Sequence, residues 1–235
     1  MGSQDEGGVI RTVGILGAGK FGLALARLAL AASYRVLVAG SGDPEGIASR
    51  VDALAHGAEP IAAVEVIRAD VVILALPFGT HGSLPVAGLR DKLVVDAMNR
   101  GWDADGTDRE LTCHRSSSEM VQAQLSGARL VKALNHVGYH ELEDDALPVG
   151  ARGRKGMAMA GDNPRDLDTV GAMITALGFD PVVVGPLKDG ARFEPGTEAF
   201  GARASAEELR ALLDRPGRGR VVPRAGRTDG APDAV

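Results

Sequence analysis

The residues with the plainest chemical potential are three glycines. Gly17, Gly19 and Gly22 follow the apolar run Val13-Gly14-Ile15-Leu16 at the spacing Gly-x-Gly-x-x-Gly. This is the spacing of a dinucleotide-binding turn. The first glycine permits a tight turn, the second lets a pyrophosphate approach the backbone, and the third lets a helix pack close to its strand. Free N–H groups of the first helical turn, at the positive end of the helix dipole, then face the phosphates. Ala18, Lys20 and Phe21 complete the turn and join the expected cofactor contacts. A purely structural glycine turn in an α/β protein is the competing reading.

Three other segments end apolar runs. They are Leu76-Pro77-Phe78, Ala97-Met98-Asn99 and Asn135-His136-Val137-Gly138. In an open parallel sheet, ligands bind outside the carboxyl ends of the strands, where these segments would gather. Pro77 offers a rigid backbone for a nicotinamide ribose, with Leu76 and Met98 beside it, and Phe78 is a candidate cover for the ring. Asn99 and Asn135 each carry donor and acceptor atoms that suit a carboxamide. His136 is the candidate proton donor, with Asn135 the candidate partner in catalysis. A satisfied structural histidine is the alternative for His136, and His81 and His140 are weaker candidates. Cys113-His114, with His136 and His140, match no zinc spacing, so no metal is expected. There is no Gly-x-Ser-x-Gly elbow. Ser116-Ser117-Ser118 either bond a polar ligand or cap a helix starting near Glu119.

The second strand bears on the choice of nucleotide. NAD sites place an acidic residue at its end, on the ribose 2′-hydroxyl. Here that position reads Ala39-Gly40-Ser41-Gly42, and Asp43 lies beyond the turn. Without that acid a 2′-phosphate is not repelled. Ser41 can donate to it, and Arg50 on the following helix can swing toward it. The expectation is NADP(H).

These residues need a scaffold of alternating strands and helices. Strands are expected over residues 11–16, 35–39, 70–76, 93–96, 129–134, 157–160 and 182–184. Helices are expected over 21–32, 44–55, 61–67, 119–125, 164–177 and 206–213. The run at 70–76 is apolar throughout, as in a strand covered on both faces. Strict alternation predicts an α/β fold with a doubly wound, mostly parallel sheet. Residues 1–8 read as a disordered leader, 9–213 as one nucleotide-binding domain, and 214–235, rich in Arg, Gly and Pro, as a disordered tail.

Composition agrees. Hydrophobic residues make up 45% of the 235 and aromatic ones 3%, so the core must be built from Ala, Val, Leu and Ile. Glycine, at 32 residues, is about twice its usual share. A net charge of −5 argues against nucleic acid as a partner. A single cysteine, Cys113, rules out an internal disulfide and suits a reducing, cytoplasmic setting. No signal peptide is evident, and no apolar run is long enough for a membrane helix.

A family resemblance rests on Gly17 to Gly22, Ala39-Gly40-Ser41, Leu76-Pro77-Phe78 and Asp96-Ala97-Met98-Asn99. It rests further on Ser116-Ser117-Ser118-Glu119, Val131-Lys132-Ala133-Leu134-Asn135 and Gly185-Pro186-Leu187. In this order they resemble the NADPH-dependent reductases of the deazaflavin coenzyme F-420, over residues 11–200. The reductase domain of the six-transmembrane ferric reductases is a more distant likeness. The resemblance implies hydride transfer between NADPH and a deazaflavin or flavin stacked on the nicotinamide, with the protein aligning the rings. It implies Ser41 at the 2′-phosphate, and Pro77, Asn99, Asn135 and His136 around the nicotinamide. Relatives continue after Gly-Pro-Leu into apolar helix, whereas residues 191–201 here are polar and turn-like. The second-substrate site is therefore expected to be open, completed across a homodimer, or shaped for another acceptor. A nucleotide sensor without turnover, and a reductase of a small carbonyl or imine, are the other functions the sequence allows.

Overall fold

The computed structural model describes residues 10–100 and 116–215. The expectations for residues 1–8, for nearly all of 214–235, and for Cys113 and His114 fall outside that range.

Eight strands form one sheet in the order β3-β2-β1-β4-β5-β6-β7-β8. They are β1 (Thr12–Leu16), β2 (Arg35–Ala39), β3 (Glu59–Pro60), β4 (Val71–Leu74), β5 (Leu93–Asp96), β6 (Arg129–Ala133), β7 (Gly156–Gly161) and β8 (Asp180–Gly185). The helices are α1 (Lys20–Ala31), α2 (Glu45–Leu54), α3 (Ser117–Gln124), α4 (Tyr139–Asp144), α5 (Pro164–Ala176) and α6 (Ala206–Leu213). All neighbouring strands are parallel except β6 and β7, which run antiparallel. The α/β doubly wound fold is as expected.

Period-two alternation splits the strand side chains between two cores. Val13, Ile15, Val36, Val38, Ile73, Val95 and Val131 face one way, against α1, α4 and α5. Leu16, Leu37, Val72, Leu74, Val94 and Leu130 face the other, against α3 and short 3₁₀ turns. Burial on both faces is what a parallel sheet demands of its strands. A third, smaller cluster joins Val182 and Phe193 to Leu209 and Leu213 of α6.

Several elements differ from expectation. Residues 61–67 do not form an α-helix; a 3₁₀ helix covers Ala63–Arg68, with Glu65 reaching back to the Ala62 N–H. The fourth strand stops at Leu74; the Ala75 N–H still donates to the Leu16 carbonyl at 2.8 Å, and Ala75 to Pro77 border the cavity beside the glycine turn. Both β3 and α4 were unforeseen. β3 is two residues long, and α4 is a six-residue helix without the apolar repeat that marks longer helices. Of the serine run, Ser116 is the cap: its hydroxyl accepts from the Glu119 N–H at 3.2 Å, and the Glu119 carboxylate accepts from the Ser116 N–H at 2.7 Å.

Strand order reverses between β1 and β4: β1 leads outward to β2 and β3, while β4 leads the other way. This is the switch point where α/β sheets open a crevice at their carboxyl ends.

Candidate functional site

The glycine turn sits at that switch point, and each glycine has a separate steric reason. Gly17 has φ +128°, and a Cβ there would lie 2.1 Å from the Ala75 carbonyl. A Cβ on Gly22 would lie 1.8 Å from the Gly17 carbonyl, so the helix packs against its own turn. Gly19 differs: a Cβ there would meet nothing within 4 Å. A ligand therefore has room to approach the backbone at this position. Gly19 caps α1 without a side-chain bond, and the first turn of α1 holds no acidic residue. Its N–H groups are therefore left for an anion.

Beside the turn lies a cavity of about 530 Å³. Gly19 to Phe21, Ala75 to Pro77, Ala97 to Asn99 and residues 135–141 border it. The carboxyl ends of β1, β4, β5 and β6 thus converge, as the sequence reading required. Phe200, Gly201 and Arg203 close another side. The end of the polar stretch 191–201 therefore contributes to the cavity wall. Phe193 is fully buried, the Gly201 N–H donates to the His136 carbonyl at 2.7 Å, and Arg203 grips Asp145 through two bonds of 2.7 and 2.5 Å. On the rim, the Lys20 ammonium stands 5.7 Å from the centre of the Tyr139 ring, which packs 4.0 Å from the His140 ring.

Residues 12–100 match the family described as NADP oxidoreductase, coenzyme F-420-dependent. A protein of Sinorhizobium meliloti, SMa0349, is 30% identical and superposes with a TM-score of 0.72, over 82% of this chain and 94% of that one. This chain belongs to that NADP oxidoreductase family. The metalloreductase STEAP3 of Rattus norvegicus is 30% identical over 181 residues, 74% of this chain and 34% of the relative. The chain thus spans about a third of that curated relative. A structure described as an F-420-dependent NADP reductase from Arthrobacter sp. FB24 is 19% identical, with TM-score 0.63 over 77% of this chain and 87% of that one. At that identity it attests the fold.

Against the family's cofactor, the remaining sequence candidates divide. Ser41 is exposed just past β2, and the Gly17 N–H donates to the Ala39 carbonyl at 2.8 Å, so the end of β2 adjoins the glycine turn. Arg50 is exposed on α2. Leu76 and Pro77 are on the cavity, and Met98 borders it while 1% exposed. Asn99 and Asn135 are joined: Asn135 Nδ2 donates to Asn99 Oδ1 at 3.1 Å, and Asn99 Nδ2 donates to the Asn135 carbonyl at 2.7 Å.

Two candidates are corrected. Phe78 does not cover a ring. It is 2% exposed within the core cluster against Leu74 and Leu84, because the chain enters a 3₁₀ turn at this point. His136 is not available as a proton donor. It is fully buried, and its Nε2 accepts the Ala158 N–H at 2.9 Å, so the ring proton belongs on Nδ1. Burial pulls its pKa down to about 4, against smaller opposite effects of its own carbonyl and that of Ala199. At neutral pH it is an uncharged strut between the end of β6 and β7.

The residue types alone did not point to a buried polar cluster. Lys132, fully buried on β6, donates to the Met98 carbonyl at 2.5 Å, to Asp96 Oδ2 at 3.2 Å and to Ser117 Oγ at 3.2 Å. Asp96 also accepts from Ser118 Oγ at 2.6 Å and from the Met98 N–H at 3.0 Å. Glu194 accepts both the N–H and the hydroxyl of Ser117, at 2.7 and 2.8 Å. Lys132 and Asp96 thus clamp both backbone polar groups of Met98 from behind the cavity wall. The signal was present: a lysine inside the apolar run Leu130 to Leu134 must find a buried acceptor. Asp96, closing another strand, was the nearest acid of that kind.

Proposed function

We propose that this protein transfers a hydride between NADPH and a deazaflavin, coenzyme F-420, or a related flavin-like acceptor. The observation that carries the reading is the cavity beside the three-glycine turn, where four parallel strands end. Bound there, NADPH would supply the hydride from its nicotinamide ring. The Gly17-Ala18-Gly19 turn and the first N–H groups at Lys20, Phe21 and Gly22 would take the pyrophosphate. Ser41 would take the 2′-phosphate, and Arg50 on α2 would swing toward it. Leu76, Pro77 and Met98 would form the wall for the ribose and ring, and Asn99 would meet the carboxamide. Such chemistry asks the chain to align two rings and exclude water rather than to move protons, which suits a site whose histidine is buried and neutral. Phe200, Gly201 and Arg203 would add to the wall around the bound rings.

The test is NADPH oxidation with F-420, and with FMN beside it, followed by loss of deazaflavin absorbance. Bleaching with NADPH, at least tenfold faster than with NADH, is the expected result. A protein that binds no nicotinamide nucleotide would overturn the proposal. Binding without turnover of any flavin or deazaflavin would move it to a nucleotide sensor.

A further inference from the structure

Leu134 holds a conformation its side chain resists. Its φ is +65°, in the left-handed region. Among the described residues two other non-glycines share that region, Ser33 and Asp91, and both are exposed in turns. Leu134 is fully buried. A buried apolar residue gains nothing locally from a left-handed backbone, so the surroundings must enforce it.

The consequence is a break in alternation. Val131 and Ala133 of β6 face the core against α5, and Lys132 faces the opposite side. In a continuing strand Leu134 would follow Lys132. It joins Val131 and Ala133 instead. The β6–β7 ladder stops at Ala133 and Met159, and the His136 ring takes up the Ala158 N–H beyond it. The turn leaves the Asn135 side chain between Asn99 and the Phe193 carbonyl.

Hydrogen-bond accounting then fixes two amides. Both hydrogens of Asn135 Nδ2 are used, on Asn99 Oδ1 and on the Phe193 carbonyl, each at 3.1 Å. The Phe193 carbonyl can only accept, so the Asn135 amide cannot be reversed. Asn99 Nδ2 is fixed in the same way by the Asn135 carbonyl. Asn135 is 1% exposed, and its Oδ1 has no partner among the described residues. An unmet buried acceptor is costly, so the orientation is kept against a penalty. Asn99 is only part-buried and borders the cavity. Among the described residues it retains one N–H and one lone pair of Oδ1, in fixed order.

We propose that Asn135, turned out of the β6 line by the left-handed Leu134, is a positioning residue that locks the amide of Asn99 to read a carboxamide. A donor and an acceptor in fixed order complement the oxygen and NH₂ of a primary amide. This rests on the nicotinamide reading above.

The experiment compares dissociation constants, by fluorescence, for NADPH and for its reduced 3-acetylpyridine analogue, in which a methyl replaces the NH₂. A site that hydrogen-bonds a group rejects the analogue lacking it. The wild-type protein is expected to prefer NADPH by about tenfold or more. Asn99→Ala should bring that preference close to one. Asn135→Ala should do the same, with no further loss in the double variant, because the two act as a unit. Leu134→Ile places a β-branched residue in the left-handed region and should also lose the preference. Leu134→Met, unbranched and of similar volume, should keep most of it. The preference is a ratio for one folded population, so partial unfolding does not change it. If Asn135→Ala does not fold, the Ile and Met pair decides.

A wild-type preference near one overturns the proposal. So does a preference that survives Asn135→Ala or Leu134→Ile, or that Leu134→Met loses equally. Absence of NADPH binding to the wild-type protein is a different result: the nucleotide reading falls first, and this one with it.

Discussion

His136 illustrates how one burial value changes the role of a residue. Its position at a strand end made it a proton donor on sequence grounds. With the ring fully buried and its Nε2 committed to Ala158, the protonated form loses its hydration, which its own carbonyl and that of Ala199 offset only in part. Its folded pKa, about 4, lies below the ordinary 6.5. Between those values the unfolded chain binds a proton that the folded chain refuses. Stability from this residue is therefore complete above pH 6.5 and declines as pH falls toward 4, by about 3 kcal/mol. Urea unfolding of wild type and His136→Gln at about pH 7, 5.5 and 4.5 should show the wild-type curve falling more steeply. The same shift predicts no inflection from His136 in kcat/KM between about pH 5 and 8. An inflection near 6.5 that His136→Gln removes would restore it as a proton donor.

At the scale of elements, the glycine turn was legible because its steric demands are local. Three glycines at set spacing between an apolar strand and an amphipathic helix leave few alternatives. The serine cap was legible in part, since Ser-x-x-Glu is a helix-start signal. α4 and the 3₁₀ turns were not, because elements of one or two turns are shaped by what they pack on. The turn gives a prediction that separates binding from folding. Gly19→Ala adds a methyl where nothing stands within 4 Å, at an ordinary φ of −80°. It should leave the melting temperature within about 2 °C, and weaken NADPH by about tenfold or more, because the methyl occupies the pyrophosphate's approach. Gly22→Ala drives its methyl to 1.8 Å from the Gly17 carbonyl. It should lower stability by about 3 kcal/mol or more, from strain between a helix and its own turn. Calorimetry with and without NADPH checks both. Equal melting temperatures for the two variants would contradict the packing described for Gly22.

Across the whole molecule, the doubly wound, mostly parallel sheet and the gathering of strand ends followed from alternation, but the strand order, the β6–β7 reversal and the polar cluster did not. All three depend on contacts between residues far apart in sequence, such as Lys132 with Asp96 and Ser117 with Glu194. That cluster ties β5, β6, the start of α3 and the segment after β8 into one body behind the cavity. It holds two carboxylates and one ammonium, all nearly or fully buried. Such a cluster is costly to assemble, and far more costly to break on one side. Lys132→Met should therefore cost about 3–5 kcal/mol, because Asp96 loses its counter-charge and the Met98 carbonyl its donor. For a domain of this size that is a fall of roughly 10 °C in Tm. Lys132→Met with Asp96→Asn removes the charge as well as the ammonium, and the carboxamide oxygen it introduces can still accept the Met98 N–H. The double variant should recover to within about 2 kcal/mol of wild type by urea unfolding. Its NADPH affinity should stay weakened, since Met98 and Asn99 lose the clamp that sets their backbone. If the double variant is as unstable as Lys132→Met, the cost lies in lost packing of the lysine stem rather than in uncompensated charge. The cluster would then be a filler of volume, with no part in holding the cavity wall.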